Sequence, residues 1–401
     1  MIDVVEDFKN KEHKEHCSKY TFVPFIYPKV DRIIVFGDIH GDYEMAIKLL
    51  QMANLARIVG EKKISRSKIN RRKRSVHKSR NTQDGGFSTG VDNYTDDGIE
   101  YELEWIGGNT HLVQVGDQID RCRPNGTYTC DNPRALDPDG DEDSDVKILK
   151  LFTNLHEQAV TVGGAVISLL GNHELLNSLG EVQYVSFKGL KNILIKYKVE
   201  GIEFEDGIEA RKHAFKPGNV HGKFMGCTRN ATVVIGSNLF VHAGIIDTLI
   251  KELRFTGRID LENINILIKK WLLGLIQTNQ VSNIVKSANS MFWTRILGRI
   301  PSGVPMDFKS CKNNISEVLK LFNVDKMIIG HTPQSFLLNK DINGTCGNKI
   351  WRVDNGASSA FDMFDEHYKN YKEKHHNRRF QYLEILNDTD YHVYDENGRI
   401  Y

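Results

Sequence analysis

Five times along this 401-residue chain, an apolar run rich in branched side chains stops at a short polar stretch built from Gly, Asp, Asn and His. The runs are 32–36, 110–115, 165–170, 238–241 and 326–329. Their polar endings are, in the same order, Gly37-Asp38-Ile39-His40-Gly41-Asp42, Gly116-Asp117-Gln118-Ile119-Asp120-Arg121, Gly171-Asn172-His173-Glu174, His242-Ala243-Gly244 and Gly330-His331-Thr332. Continuous apolar runs of this length predict strands buried on both faces. A buried strand that ends at Gly delivers the next side chains to the carboxyl edge of its sheet, where ligands of open α/β folds bind. The segments between carry helical spacing: Met45, Ala46, Leu49, Leu50 and Ala53, then Ile148, Leu149, Phe152 and Leu155 after Asp145 as N-cap. Residues 175–198 read mostly as helix with weak points at Gly180 and Gly189, and 261–277 as helix; 203–231 has no clear pattern. Strands alternating with helices in this way predict an α/β fold.

Composition narrows the class. Apolar residues make up 40% and charged ones 26%, the balance of a soluble globular protein able to bury a sizeable core. No run approaches membrane-spanning length, since 264–276 is broken by Lys269 and Lys270. The N-terminus lacks a basic and an apolar region of signal-peptide type. Six cysteines in a chain this long are too few for a disulfide scaffold, so a reducing compartment is the simpler reading and an intracellular, cytoplasmic protein is expected; Cys122 and Cys130, flanking a short turn, leave a disulfide or a metal there open.

Charge is unevenly spread although the net is only +1. Ten Lys and Arg fall between Lys62 and Arg80 without an acid. Such a segment is a solvated insertion, a nuclear-localisation-type patch or an electrostatic contact with nucleic acid; with no interleaved aromatic it offers no base stacking. The Pro/Gly/Asp-rich stretch 122–145 reads as an acidic loop, but it fails the EF-hand spacing at Glu142 and Ile148. Residues 1–29 read as a polar, solvated arm, and the alternating segments around Asn387-Asp388-Thr389-Asp390 as a terminal hairpin.

Side by side, the five polar strand ends would be costly to bury as a packed core, and they suit a metal centre. Imidazole and oxygen donors without cysteine fit Mn, Fe or Zn. Asp38, His40, Asp117, Asn172, His242 and His331 are too many for one tetrahedral ion. They are about right for two ions bridged by Asp117, with Asp38 and His40 on one and Asn172, His242 and His331 on the other. Paired metals about 3.5–4 Å apart are the apparatus of hydrolytic displacement at phosphorus. Arg121 and Arg295 can clamp phosphate oxygens. His173 can protonate the leaving alkoxide, with Asp120 fixing its tautomer and keeping it protonated.

With these motifs in the same order, the chain resembles the phosphoprotein-phosphatase (PPP) metallophosphoesterases over roughly residues 30–360. Within them it is most similar to the Shewanella-like protein phosphatases, through Asn177-Ser178-Leu179-Gly180-Glu181, Trp293-Thr294-Arg295, Gly330-His331-Thr332-Pro333-Gln334 and Arg352-Val353-Asp354-Asn355-Gly356-Ala357-Ser358. The resemblance implies a calcineurin-like fold, a central β-sandwich of two mixed sheets flanked by helices (α/β/β/α), and the same ligand and catalytic roles residue by residue. It departs at Cys122, where the family's usual glycine follows Asp-Arg, and the Ser-Ala-Pro-Asn-Tyr motif is absent. The implied layout is an N-terminal arm (1–29), a catalytic domain (30–360) with a basic insertion (about 61–100) and an acidic loop (about 122–145), and a C-terminal extension (361–401).

The expected function is phosphomonoester hydrolysis, most naturally of a phosphorylated protein, by one-step attack of a hydroxide held on two metal ions. A dinucleoside polyphosphate or RNA-end phosphatase is the alternative on the same chemistry. A catalytically silent binding protein would have lost a ligand or an arginine, and none is lost.

Overall fold

Two mixed sheets stack face to face in the computed structural model, which describes residues 3–63, 99–124, 127–135, 141–254, 257–337, 339, 341–362, 364 and 378–401. The strands are β1 Ile26–Tyr27, β2 Arg32–Phe36, β3 Ala56–Lys63, β4 Ile99–Trp105 and β5 His111–Gln114. They continue as β6 Ala165–Leu169, β7 Arg229–Asn230, β8 Thr232–Ile235, β9 Asn238–Val241 and β10 Lys326–Ile329. The last are β11 Asn343–Thr345, β12 Ile350–Arg352, β13 Tyr382–Leu386, β14 Asp390–Asp395 and β15 Gly398–Arg399. One sheet has the order β15-β14-β13-β2-β5-β6-β7 and the other β1-β8-β9-β10-β12-β11.

Alternation along each strand explains the layers. In β2, Ile33 and Val35 enter the core between the sheets, while Ile34 and Phe36 pack under the helices Tyr43–Met52 and Asp145–Ala159. In the second sheet Val233, Phe240 and Ile328 face the sandwich interior. Val234, Leu239 and Ile329 face the helices Gly207–Phe215, Arg258–Leu272 and Lys309–Leu321 on the other side. Both faces of the central strands are buried, so they read as unbroken apolar runs. The layers are α/β/β/α, the calcineurin-like arrangement expected.

Parallel pairing then gathers the site. β2, β5 and β6 run parallel to one another, as do β9, β10 and β12. Each trio ends at the same edge, so six strand ends meet where the two sheets come together.

Several expectations need correction. The stretch expected as a solvated arm is, in its described residues 3–29, packed against the domain: Phe8, Cys17 and Phe25 are buried against Cys227, Ile266 and Leu273, and β1 pairs with β8. Polar residues on the outer side hid the apolar face. The polar ending Gly171-Asn172-His173-Glu174 runs straight into a helix, which begins at Asn172, before the expected start at 175, and ends at Gly180 in left-handed backbone (φ 82°). Asp145 opens its helix rather than capping it; Ser144 is the cap. Two short helices, Gly207–Phe215 and Val220–Thr228, fill the patternless region 203–231. Beyond Lys63, the basic run lies outside the described residues.

The cysteine reading is also overturned. All six are paired, Cys17 with Cys227, Cys122 with Cys130 and Cys311 with Cys346, at Cα separations of 5.3, 5.9 and 5.5 Å. Partners as far apart as 210 positions leave no spacing signal in a long chain. Closing so long a loop restricts the unfolded chain. Replacing Cys17 and Cys227 together by Ser should cost about 2–5 kcal/mol of stability, read as a lower denaturation midpoint with turnover unchanged.

Candidate metal centre

Glycine ends the strands because carboxylates lie directly over them. A Cβ at Gly171 would clash with the Asp117 carboxylate, and one at Gly330 with that of Asp38. His40, Asp117, Asp120 and His331 take φ of 48°, 52°, 72° and 68°, left-handed backbone that costs non-glycine residues about 1–3 kcal/mol each. Conformations of that kind persist where surrounding contacts over-determine them, and here they do. Glu174 supplies much of the restraint. Its carboxylate accepts from the backbone N–H of Gly171 (2.7 Å), Asp117 (3.0 Å) and Gln118 (2.8 Å), bolting the loop after β5 to the one after β6.

All six expected metal ligands are buried and meet at this edge. His242 Nδ1 contacts Val115 O at 2.9 Å, so with Nδ1 as the donor its Nε2 is turned inward, 3.3 Å from Asp117 Oδ2 and 3.0 Å from Asn172 Oδ1. His331 contacts Trp293 O through Nε2 at 3.1 Å, which leaves Nδ1 to the interior. Asp38 accepts from His331 N, and His40 Nε2 lies 3.9 Å from both the Asp38 and Asp117 carboxylates. Two donor groups, His40/Asp117/His173 and Asp117/His242/His331, each have their donor atoms within 4.8 Å of one another. Asp117 belongs to both.

His173 and Asp120 are joined by a 2.8 Å contact from Nδ1 to Oδ2, which directs Nε2 toward Asp117. Asn177 donates to both Asp120 oxygens and to His173 O. Arg211 in turn donates to Asn177 Oδ1 (2.7 Å) and Asp145 Oδ2 (2.8 Å), and Asp145 Oδ1 accepts from Asp120 N (3.1 Å). A cavity of about 580 Å³ opens over these groups, lined by His40, Asn172, His173 and Arg295 and rimmed by Tyr184, Trp293, Phe336 and Phe361. Arg121 is turned elsewhere, and Arg123 lines the cavity in its place.

Comparison with known proteins decides the family. A family model described as calcineurin-like phosphoesterase matches residues 31–335, well over half of the chain. The chain belongs to that family. An uncharacterized protein of Acanthamoeba polyphaga mimivirus is 36% identical over 255 residues, covering 60% of this chain and 96% of its own. Shewanella-like protein phosphatase 2 of Arabidopsis thaliana is 26% identical over 366 residues, covering 83% and 73%. The crystal structure of a cold-active protein-tyrosine phosphatase from a psychrophilic Shewanella superposes with a TM-score of 0.54 at 17% identity, covering 95% and 82%; that likeness concerns the fold.

The phosphoesterase is a hydrolase of the metallophosphoesterase type, and its own residues suit positive charge at this edge. Asp38, Asp117, Glu174 and Asp354 are all buried within the same region. Burial, with Asp354 and Asp117 nearby, raises the Asp38 carboxyl well above its usual range. Burial and Asp117 push Glu174 up to about 7, and burial above all does the same to Asp354, one of whose oxygens has no hydrogen-bond partner. Burial works against the Asp117 charge, yet His242 and His173 hold that carboxyl well below the usual range. A crowd of acids with inward imidazoles is what divalent cations would neutralise.

Sequence reasoning gave Glu174 no more than a part in orienting its neighbours, which its three backbone contacts fit, and assigned no role to Asn177, Arg211, Asp354 or Arg123. For Asp354, the Val-Asp-Asn-Gly ending of β12 repeated the strand-then-Asp construction and could have given it away. Arg211 had no such signal.

Proposed function

We propose that this phosphoesterase is a protein phosphatase that binds two metal ions, Mn, Fe or Zn, and cleaves phosphomonoesters in one step without a phosphoenzyme. The observation that carries the reading is Asp117, common to two adjoining donor groups. Asp38 and His40 would hold one ion, Asn172, His242 and His331 the other, with Asp117 between. Bound metal supplies Lewis-acid charge and lowers the pKa of a water that attacks phosphorus. His173 gives the Nε2 proton to the departing oxygen. Asp120 accepts a hydrogen bond from Nδ1–H and holds the ring, and Asn177 and Arg211 hold Asp120. Arg295, whose Nη1 donates to His331 O at 2.7 Å, reaches the phosphate together with an arginine of the turn after Asp120.

A phosphorylated protein as substrate is supported by relatives bearing the name Shewanella-like protein phosphatase, in Arabidopsis thaliana and Plasmodium berghei. The described residues include no helix long and apolar enough to cross a membrane. Hydrolysis of p-nitrophenyl phosphate should be stimulated by Mn²⁺ and abolished by chelation. In parallel assays, phosphopeptides should be turned over with higher kcat/KM than dinucleoside polyphosphates or RNA 5′ ends. A preference for either nucleotide substrate would reject the protein-phosphatase reading in favour of the alternative.

A further inference from the structure

One wall of the cavity is a row of aromatic rings that leads outward from the metal centre. The Phe361 ring meets His40 edge to face with 5.2 Å between centroids. Phe336 meets Phe361 in the same way at 5.4 Å, and Phe364 meets Phe336 at 5.5 Å. Burial falls along the row: Phe361 is 5% exposed, Phe364 is partly buried and Phe336 is 37% exposed. Leu337 extends the apolar surface beyond the cavity and is equally exposed.

These side chains are firmly mounted. The turn Gln334–Leu337 hangs on Gln334, which is fully buried. Its backbone N–H donates to Asp354 O at 2.9 Å, and its side-chain nitrogen donates to Gly298 O and Thr332 O at 3.1 and 2.8 Å. Its side-chain oxygen accepts from Asn339 and Asn343 at 3.0 and 3.3 Å. A ring held in water by so well-bonded a turn, at the mouth of a cavity that admits substrate, marks a contact for something that enters with the substrate.

Phosphate is not that occupant, because the faces of aromatic rings are negative and offer an anion nothing. The chain that carries the phosphate is better suited. An extended peptide advances about 6.5–7 Å over two residues and turns the second side chain back to the same side. With the phosphoresidue pointing at the metals, its immediate neighbour faces water. The residue two positions away faces the enzyme, a ring or two out from His40.

We infer that Phe336 and Phe364, backed by Phe361, form a subsite for an apolar side chain two positions from the phosphoresidue, giving the enzyme a sequence preference. The inference rests on the protein-phosphatase reading. Three phosphoserine peptides test it on the Mn²⁺-loaded full-length chain: one with Gln two positions before and after the phosphoserine, and two with Leu replacing one Gln or the other. One Leu peptide should exceed the Gln peptide in kcat/KM by about tenfold or more, the discrimination typical of an apolar subsite. In Phe336→Ala that ratio should fall to within about twofold. Phe336→Leu keeps an apolar surface, should retain most of the ratio, and remains informative should the Ala variant not fold. Phe308→Ala, at an exposed ring outside the cavity, should keep all of it.

Equal kcat/KM for all three peptides in wild type, or a ratio that persists in Phe336→Ala, overturns the subsite. So does a phosphotyrosine peptide with Gln at both positions that loses as much in Phe336→Ala as the Leu peptide does, since the wall would then take the ring of the phosphoresidue itself. Hydrolysis of p-nitrophenyl phosphate with none of the peptides cleaved would instead reject the protein-phosphatase reading, and the subsite with it.

Discussion

Replacing His173 by Asn is expected to lower kcat about 10²–10⁴-fold with both metals retained. The backbone N–H of residue 173 donates to Asp117 Oδ1 at 2.9 Å, and that contact does not depend on the side chain. Asp117 should therefore keep its orientation, and the metals their central ligand. What disappears is the proton for the leaving oxygen. The deficit should accordingly depend on the leaving group: small for p-nitrophenyl phosphate, whose phenolate departs without much help, and large for an alkyl ester such as phosphoserine. Metal content by elemental analysis and kcat on both substrates form the test. Loss of metal would make His173 a ligand, as its place beside His40 and Asp117 also allows. An equal deficit on the two substrates would remove the proton-donor role.

A larger effect on metal itself is expected from Asp117→Asn. The substitution keeps the shape and removes the charge at the one side chain common to both donor groups. Metal affinity should fall by more than the roughly 10–100-fold typical of changes behind the ligands. Activity should fall with it and recover little on adding excess Mn²⁺. Ions that bind only the folded chain raise its melting temperature. The rise seen on adding Mn²⁺ to wild type should shrink in the variant, whereas melting in chelator should change much less. An unaltered Mn²⁺-induced shift would mean that Asp117 does not bridge.

Much of this molecule was legible in its sequence, and the gaps have physical causes. Strands buried on both faces announce themselves as branched apolar runs, and the glycines beneath Asp38 and Asp117 mark where they end. Both signals are local. The groups behind His173 are not, since Arg211 reaches Asn177 and Asp145 from a helix in a segment without amphipathic pattern. Arg121 and Arg123 stand two residues apart in the same turn, and only backbone geometry divides them between loop and cavity. Disulfide partners are invisible to spacing when 35 or 210 positions separate them. Glu174 gave the weakest signal of its stretch, no more than a support for its neighbours, because accepting three backbone N–H groups leaves no mark on composition.

The hairpin β13–β14 has a consequence for how the molecule comes into being. β13 pairs antiparallel with β2, Leu386 opposite Arg32, across more than 350 positions of chain. β2 carries Asp38 and His40 just beyond its end, and until β13 has left the ribosome that strand has a bare edge. A nascent chain would hold most of both donor groups early and yet present an unpaired, apolar strand to any neighbour. Pairing over such a distance is intrinsically slow, because the loop must close before contacts reward it. Synthesis of this enzyme thus has a vulnerable interval that ends only when β13 seals the sheet beneath the loop that carries Asp38 and His40.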